Sequence, residues 1–90
     1  MINILNYEKM KKIILKEYSK SNVFIYFKGI INTRVIINKA RIIINKDRLI
    51  FANNDNDIVI SLFDVRKLKI QDNIKISLIY NDDFEISLEV

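Results

Sequence analysis

Lys75-Ile76-Ser77-Leu78-Ile79-Tyr80-Asn81-Asp82-Asp83-Phe84-Glu85-Ile86-Ser87-Leu88-Glu89 is the stretch on which the fold turns. Apolar and polar residues alternate with a period of two on both sides of an Asn-Asp-Asp break, the pattern of a β-hairpin with one buried face. With Asn81-Asp82-Asp83 as a three-residue loop, Tyr80 lies opposite Phe84, Leu78 opposite Ile86 and Ile76 opposite Leu88. The other face then pairs Ser77 with Ser87 and Lys75 with Glu89. A slip of one residue would set apolar against charged partners throughout, so the register is well specified. Such a loop calls for a residue at positive φ, and after glycine Asp or Asn takes that conformation most readily.

Upstream of the hairpin, β-branched and aromatic residues continue at strand spacing. Strands are expected at about 34–38, 40–45, 48–52, 57–62, 66–71, 74–80 and 84–90. Breaks fall at Gly29, Asn32, Lys46-Asp47, Asn53 to Asn56, Asp64 and Asp72-Asn73. The pattern leaves open whether 34–45 is one bent strand or two. Val23-Phe24-Ile25-Tyr26-Phe27 is apolar on both faces, and cover is expected on both, one of them by a helix. Along Arg66-Lys67-Leu68-Lys69-Ile70, Lys67 and Lys69 should point outward, opposite the acids Asp82, Asp83, Glu85 and Glu89.

Only the N-terminal segment has helical spacing. Tyr7, Met10, Ile14 and Tyr18 recur three and four apart, with Ile13 and Leu15 widening the stripe, which predicts a helix over 5–20. Asn6 is the expected N-cap, Glu8 sits in the first turn, and Leu5 and Met10 occupy the positions of a hydrophobic staple. Lys9, Lys12, Lys16 and Lys20 share the opposite face.

The fold class expected is α+β, mostly β. One N-terminal helix precedes a six- to eight-stranded antiparallel meander over 22–90, curled into a small barrel or rolled sheet so that its edges are protected, all in one domain spanning 1–90. A helix before Val23 to Phe27 and Lys28-Gly29 is similar to the outline of an Sm-like barrel. Arg41 to Phe51 followed by Asp57 to Ile70 resembles the strand meander of pleckstrin-homology-like domains. Strands beyond Ile70 exceed an Sm-like core, and no helix follows the last strand as it would in the pleckstrin pattern.

Composition narrows the chemistry. The chain has no histidine, cysteine or proline and a single glycine, Gly29, while half its residues are hydrophobic. Imidazole acid–base catalysis, thiolate chemistry and glycine-rich phosphate loops are therefore closed to it. Disulfide staples are closed too, so apolar packing must supply the stability, helped by self-association. The abundance of Ile, Asn and Lys is the trend of an A+T-rich genome, such as a phage or mobile element. Met1 to Lys12 offers only Ile2, Ile4 and Leu5 as an apolar run, too short for a signal peptide, and no stretch approaches a membrane span, so a cytoplasmic protein is expected.

Net charge is +4, unevenly spread. Met1 to Arg48 holds eleven Lys/Arg and three Asp/Glu, or +8; Leu49 to Val90 holds four and eight, or −4. Such a chain can offer a basic face to polyanions, pair its halves within one fold, or associate head to tail.

Candidate sites follow from these patterns. Asn53, Asp55 and Asp57 with Asp64 imitate the oxygen spacing of a calcium loop, but Ile58 stands where glycine is needed and the last ligand is Asp rather than Glu, so a solvated turn is expected and no metal. Asp82-Asp83 and Asp55/Asp57 are exposed turn carboxylates without a pocket to raise their pKa. Lys9, Lys12, Lys16 and Lys20, with Lys11 beside them, form a strip that Lys28, Arg34, Lys39 and Arg41 could extend toward single-stranded nucleic acid, with Tyr26 and Phe27 nearby in sequence for stacking. Phe24, Tyr26, Ile30 and Ile31 are the candidate interface, because they are more apolar than one short helix can cover. The expected function is a non-enzymatic binding or assembly module, with no cofactor and no small-molecule substrate, acting through a protein partner or as a homo-oligomer. The alternative is sequence-nonspecific nucleic-acid binding through the helix lysines.

Overall fold

Asn3, rather than Asn6, caps the helix: its Oδ1 accepts the Asn6 N–H at 2.9 Å. The computed structural model describes residues 2–90, and Met1, the first residue of the domain expected over 1–90, lies outside the described residues. Helix α1 spans Ile4–Ile13 and widens into a π-helical turn over Ile14–Tyr18. The earlier start moves every first-turn feature. No acid lies in the first turn, and the staple positions on either side of the cap become Ile2 and Tyr7, leaving Leu5 exposed. Tyr7, Met10, Ile14 and Tyr18 are buried, as their spacing predicts. The chain leaves the helix through Lys20 at φ 61°, a conformation usually left to glycine. Its N–H donates to Ala40 O at 2.8 Å, and Ala40 N–H donates to Ser21 O at 2.9 Å.

Eight strands follow: β1 (Val23–Lys28), β2 (Thr33–Ile37), β3 (Arg41–Ile44), β4 (Arg48–Ala52), β5 (Asp57–Ser61), β6 (Lys67–Gln71), β7 (Lys75–Asn81) and β8 (Phe84–Glu89). Residues 34–45 thus form two strands. They are parted by Asn38 and Lys39, the latter at φ 51°, and they belong to different sheets. All pairings are antiparallel, in a five-stranded sheet of order β2-β1-β8-β7-β6 and a three-stranded sheet of order β3-β4-β5. This is an up-and-down order in which β8 returns to β1, with gaps between β2 and β3 and between β5 and β6. The architecture is the rolled-sheet form of the expected fold, split into two sheets.

Direct register partners share a face, so the inner surface can be read from the pairings. Ile37, Ile25, Leu88, Ile76 and Leu78 point inward from the larger sheet, and Leu49, Phe51 and Ile60 from the smaller. Together with the helix stripe they make one apolar cluster. The Cα radius of gyration is 12.1 Å, matching the roughly 12 Å of a well-packed chain of this length.

The terminal hairpin keeps its expected register over most of its length. Ile76 pairs with Leu88, Ser77 with Ser87 and Leu78 with Ile86, and Lys75 Nζ lies 3.1 Å from Glu89 Oε1. Near the turn the expectation fails. Asn81, not Tyr80, is opposite Phe84, because Tyr80 is an extra residue in a β-bulge and the loop shortens to Asp82-Asp83. Neither loop residue takes positive φ, since Asn81 Oδ1 accepts the Asp83 N–H at 2.8 Å and makes the turn with its side chain. The Tyr80 and Phe84 rings remain neighbours, their centroids 5.3 Å apart. Positive φ appears instead in the β6–β7 turn, at Asp72 (53°) and Asn73 (60°).

A second correction concerns β1. Its inward residues Val23 and Ile25 are covered by the core the helix completes, but its outer residues Phe24 and Tyr26 are only half-buried, screened by neighbours within the sheet rather than by another layer. Lys67 and Lys69 do point outward, yet they face Ile79 and Ser77 rather than acids. The nearby carboxylates pair elsewhere, Glu85 with Lys28 and Glu89 with Lys75.

Tyr18 joins the layers. Its ring lies 6.2 Å from Phe51 of the smaller sheet, while its hydroxyl reaches Ile74 O at 2.5 Å and Leu88 O at 2.8 Å in the larger one. A phenol carries one proton, so the two carbonyls share it. Burial, then the charge of Glu89, pushes this hydroxyl well above its ordinary pKa of 10.0, and it stays a neutral donor. Tyr18→Phe keeps the ring and removes the donor. Urea unfolding of that variant should show a loss of about 1–3 kcal/mol with an unchanged denaturant slope; an unaltered midpoint would show that the hydroxyl adds nothing.

Candidate functional site

Up-and-down connectivity sends the β1–β2, β3–β4, β5–β6 and β7–β8 connections to one end of the roll and the others to the opposite end. Cross-contacts bear this out. At the first end, Leu62 N–H donates to Asp47 O at 2.8 Å, Tyr80 hydroxyl to Ser61 O at 2.6 Å, and the start of α1 borders a cleft with Lys46, Asp47 and Leu62. At the second, Lys39 N–H donates to Asn22 Oδ1 and Asn53 Nδ2 to Asn38 O.

The two ends differ in chemistry. The second is polar, built from Ser19 to Asn22, Asn38-Lys39, Asn53 to Asn56 and Asp72-Asn73. Asn53 Oδ1 accepts the N–H groups of Asp55 and Asn56 at 2.9 and 2.8 Å, so the calcium-like residues are held as an Asx turn. The first end carries Ile30 and Ile31, 101% and 80% exposed, together with Leu5 at 79%, Ile4 and Phe63. Ile30 and Ile31 rim a depression of about 320 Å³ floored by Phe84. The cleft beside the helix start, about 380 Å³, is lined by Ile2, Ile4, Tyr7 and Leu62 with Lys46 and Asp47 at its edge.

Gly29 matters here for space rather than conformation. Its φ is not positive, but a Cβ placed on it would lie 3.2 Å from Phe84 Cδ1, so a side chain here would require that ring to give by a few tenths of an ångström. Tyr80, between the two apolar hollows, has its hydroxyl pushed up to about 12 by burial and then by the charge of Asp64, which leaves it a hydrogen-bond donor to Ser61 and not a nucleophile near neutrality.

The residues expected from the sequence fall on three surfaces. Ile30 and Ile31 stand at the apolar end. Phe24 and Tyr26 lie on the outer face of the larger sheet, with Lys28 and Arg34 flanking Tyr26 along and across the strands. Lys9, Lys12 and Lys16 are exposed on the helix and Lys20 just beyond its end, and the helix packs on the core, the opposite side of that sheet. The helix lysines and the pair Lys28 and Arg34 therefore do not make one strip. Lys39 does join the helix set, because Lys20 and Ala40 are hydrogen-bonded. Phe63, Ile4 and Leu5 complete the apolar end without having been expected there. Phe63 lies in a connection of the same parity as Ile30-Ile31, and Ile4 and Leu5 lie in the first turn of the helix at the same end, which shows only once strand order is known.

Glu89, on the sheet's outer face, has its carboxyl held below its ordinary pKa of 4.5 by the Lys75 ammonium and by the Tyr26 hydroxyl. Compared with models of known families, with curated proteins and with solved structures, the chain matches none.

Two pH dependences follow. The Tyr80 value is raised in the fold, so its contribution is complete below pH 10 and disappears as pH climbs toward about 12; Tyr80→Phe should flatten the stability profile in that alkaline window, and parallel curves would contradict it. Glu89 is depressed in the fold, so its contribution exists above pH 4.5 and fades as pH drops below that value. Glu89→Gln should cost under about 1 kcal/mol at neutral pH, given its partial exposure, and nothing in strong acid, as read by denaturation at both pH values.

Proposed function

We propose that the chain is a non-enzymatic assembly module that associates with a second copy of itself through its apolar end. The observation that carries this is the complete exposure of Ile30 beside a strongly exposed Ile31, at the same end as Ile4, Leu5 and Phe63. Fully burying each large apolar side chain is worth roughly 1.5–3 kcal/mol, and in a pair of copies both ends contribute, so four isoleucines offer roughly 6–12 kcal/mol and all ten residues roughly 15–30 kcal/mol as an upper bound. Bringing two bodies together costs about 4–15 kcal/mol. The two tips alone therefore leave little or no surplus over that cost, and engagement of the whole end is what gives a concentration-dependent complex.

The absence of imidazole and thiol in the sequence supports a role by contact. The two raised tyrosines and the lowered Glu89 have structural explanations in packing and ion pairing.

Light scattering over a concentration series tests the proposal. Wild type should gain mass with concentration, while Ile30→Asp with Ile31→Asp should remain monomeric with an unchanged circular-dichroism spectrum, because both side chains lie outside the core. A wild type that stays monomeric at high concentration, or an Asp variant that associates equally well, refutes it.

A further inference from the structure

The outer face of the larger sheet has a different character from the apolar end. Read across the strands, its middle row is Arg34 on β2, Tyr26 on β1, Ser87 on β8, Ser77 on β7 and Lys69 on β6. Phe24 stands two residues from Tyr26 on the same strand, about 6.7 Å along it, so two half-buried rings lie side by side. Among the described residues, no other layer covers them.

Charge on this face is unbalanced. Lys28, Arg34, Lys67, Lys69 and Lys75 oppose only Glu85 and Glu89, five against two, or +3. Both carboxylates are occupied, Glu85 with Lys28 at 4.0 Å and Glu89 with Lys75 at 3.1 Å. Among the described residues, Arg34, Lys67 and Lys69 have no carboxylate within 4.0 Å. Arg34 adjoins the aromatic pair on one edge strand, and the two lysines lie on the other edge strand, three strands or about 14 Å away across the face.

We infer that this face binds single-stranded nucleic acid, with bases stacked on Phe24 and Tyr26 and the backbone held by Arg34, Lys67 and Lys69. Rings on an open sheet suit a ligand with flat, accessible base faces, which a duplex keeps stacked inside. An acidic polypeptide would satisfy the cations and leave the rings unused. Recognition is nonspecific in sequence, because the Ser77–Ser87 floor, its hydroxyls 3.5 Å apart and almost wholly covered, presents no free donor to read a base edge. The site is separate from the apolar end, so either can fail without the other.

Fluorescence anisotropy with a labelled oligothymidylate of about 20 nucleotides at low salt tests the inference, with a duplex of equal length and heparin as competitors. The expected result is binding to the single strand in preference to the duplex, weakening steeply with salt. Tyr26→Ala should weaken it roughly ten-fold or more, Tyr26→Phe should preserve it, and Lys12→Ala with Lys16→Ala should leave it unchanged. Arg34→Ala and Lys69→Ala should each reduce the slope of log K against log salt by about 0.7. Absence of binding at low salt overturns the proposal. So does binding that follows the helix lysines, or that heparin and duplex match while Tyr26→Ala has no effect. Thermal melts of each variant establish folding, and a Tyr26→Phe protein that folds but does not bind also overturns stacking as the basis.

Discussion

The fold is tied together at Leu88. Its side chain is fully buried in register between Ile25 of β1 and Ile76 of β7, and its carbonyl accepts from the Tyr18 hydroxyl across the core. Without the β8–β1 pairing, the first two strands would form an isolated hairpin, which is marginal in water, beside a separate three-stranded β6–β8 piece. Closing that seam brings together residues about sixty positions apart, the entropically expensive step, so it must be repaid by burial. Ile25, Leu88, Ile76 and Ile37 make that repayment on one face, and Tyr18 locks the end of the seam where Ile74 and Leu88 expose carbonyls.

The same seam joins the two oppositely charged halves by one ion pair. The basic N-terminal half meets the acidic C-terminal half along β1 and β8, where Lys28 pairs with Glu85. Part of the bipolar sequence is therefore spent inside one molecule. What remains on the outer face is the surplus of the basic half, Arg34, joined by Lys67 and Lys69 from β6, which lie two strands across from the acids of β8, Lys67 in the row of Glu85 with Ile79 between them.

Legibility in the sequence followed the range of the interactions. Strand positions and breaks were readable from β-branched alternation and from Asn and Asp at turns, and the hairpin register from matched pairs as far as Leu78 and Ile86. Tyr80 broke the pattern because its ring and hydroxyl are drawn toward Phe84 and Ser61, and a bulge is the local answer to that tertiary demand. The helix start was misplaced because Asn3 and Asn6 are equivalent as caps locally; what separates them is the packing of Ile2 and Tyr7 against the core. The candidate site was less legible still. Ile30, Ile31, Tyr26 and the lysines could be singled out, but their division among three surfaces depends on which strands adjoin and on which side of the sheet the helix lies, facts that no local pattern carries.

A composition rich in isoleucine raises the objection that exposed isoleucines are an accident of coding. Coding bias, however, has no knowledge of the ends of a roll. It would leave large apolar residues exposed among all connections alike, whereas at one end the connections hold only Ile74, which packs against the core, and Ile30, Ile31 and Phe63 stand exposed at the other. Those three interrupt turns where polar residues would be solvated without cost. Exposed apolar side chains gain nothing from the folded monomer, so the asymmetry supports the proposed contact with a second copy.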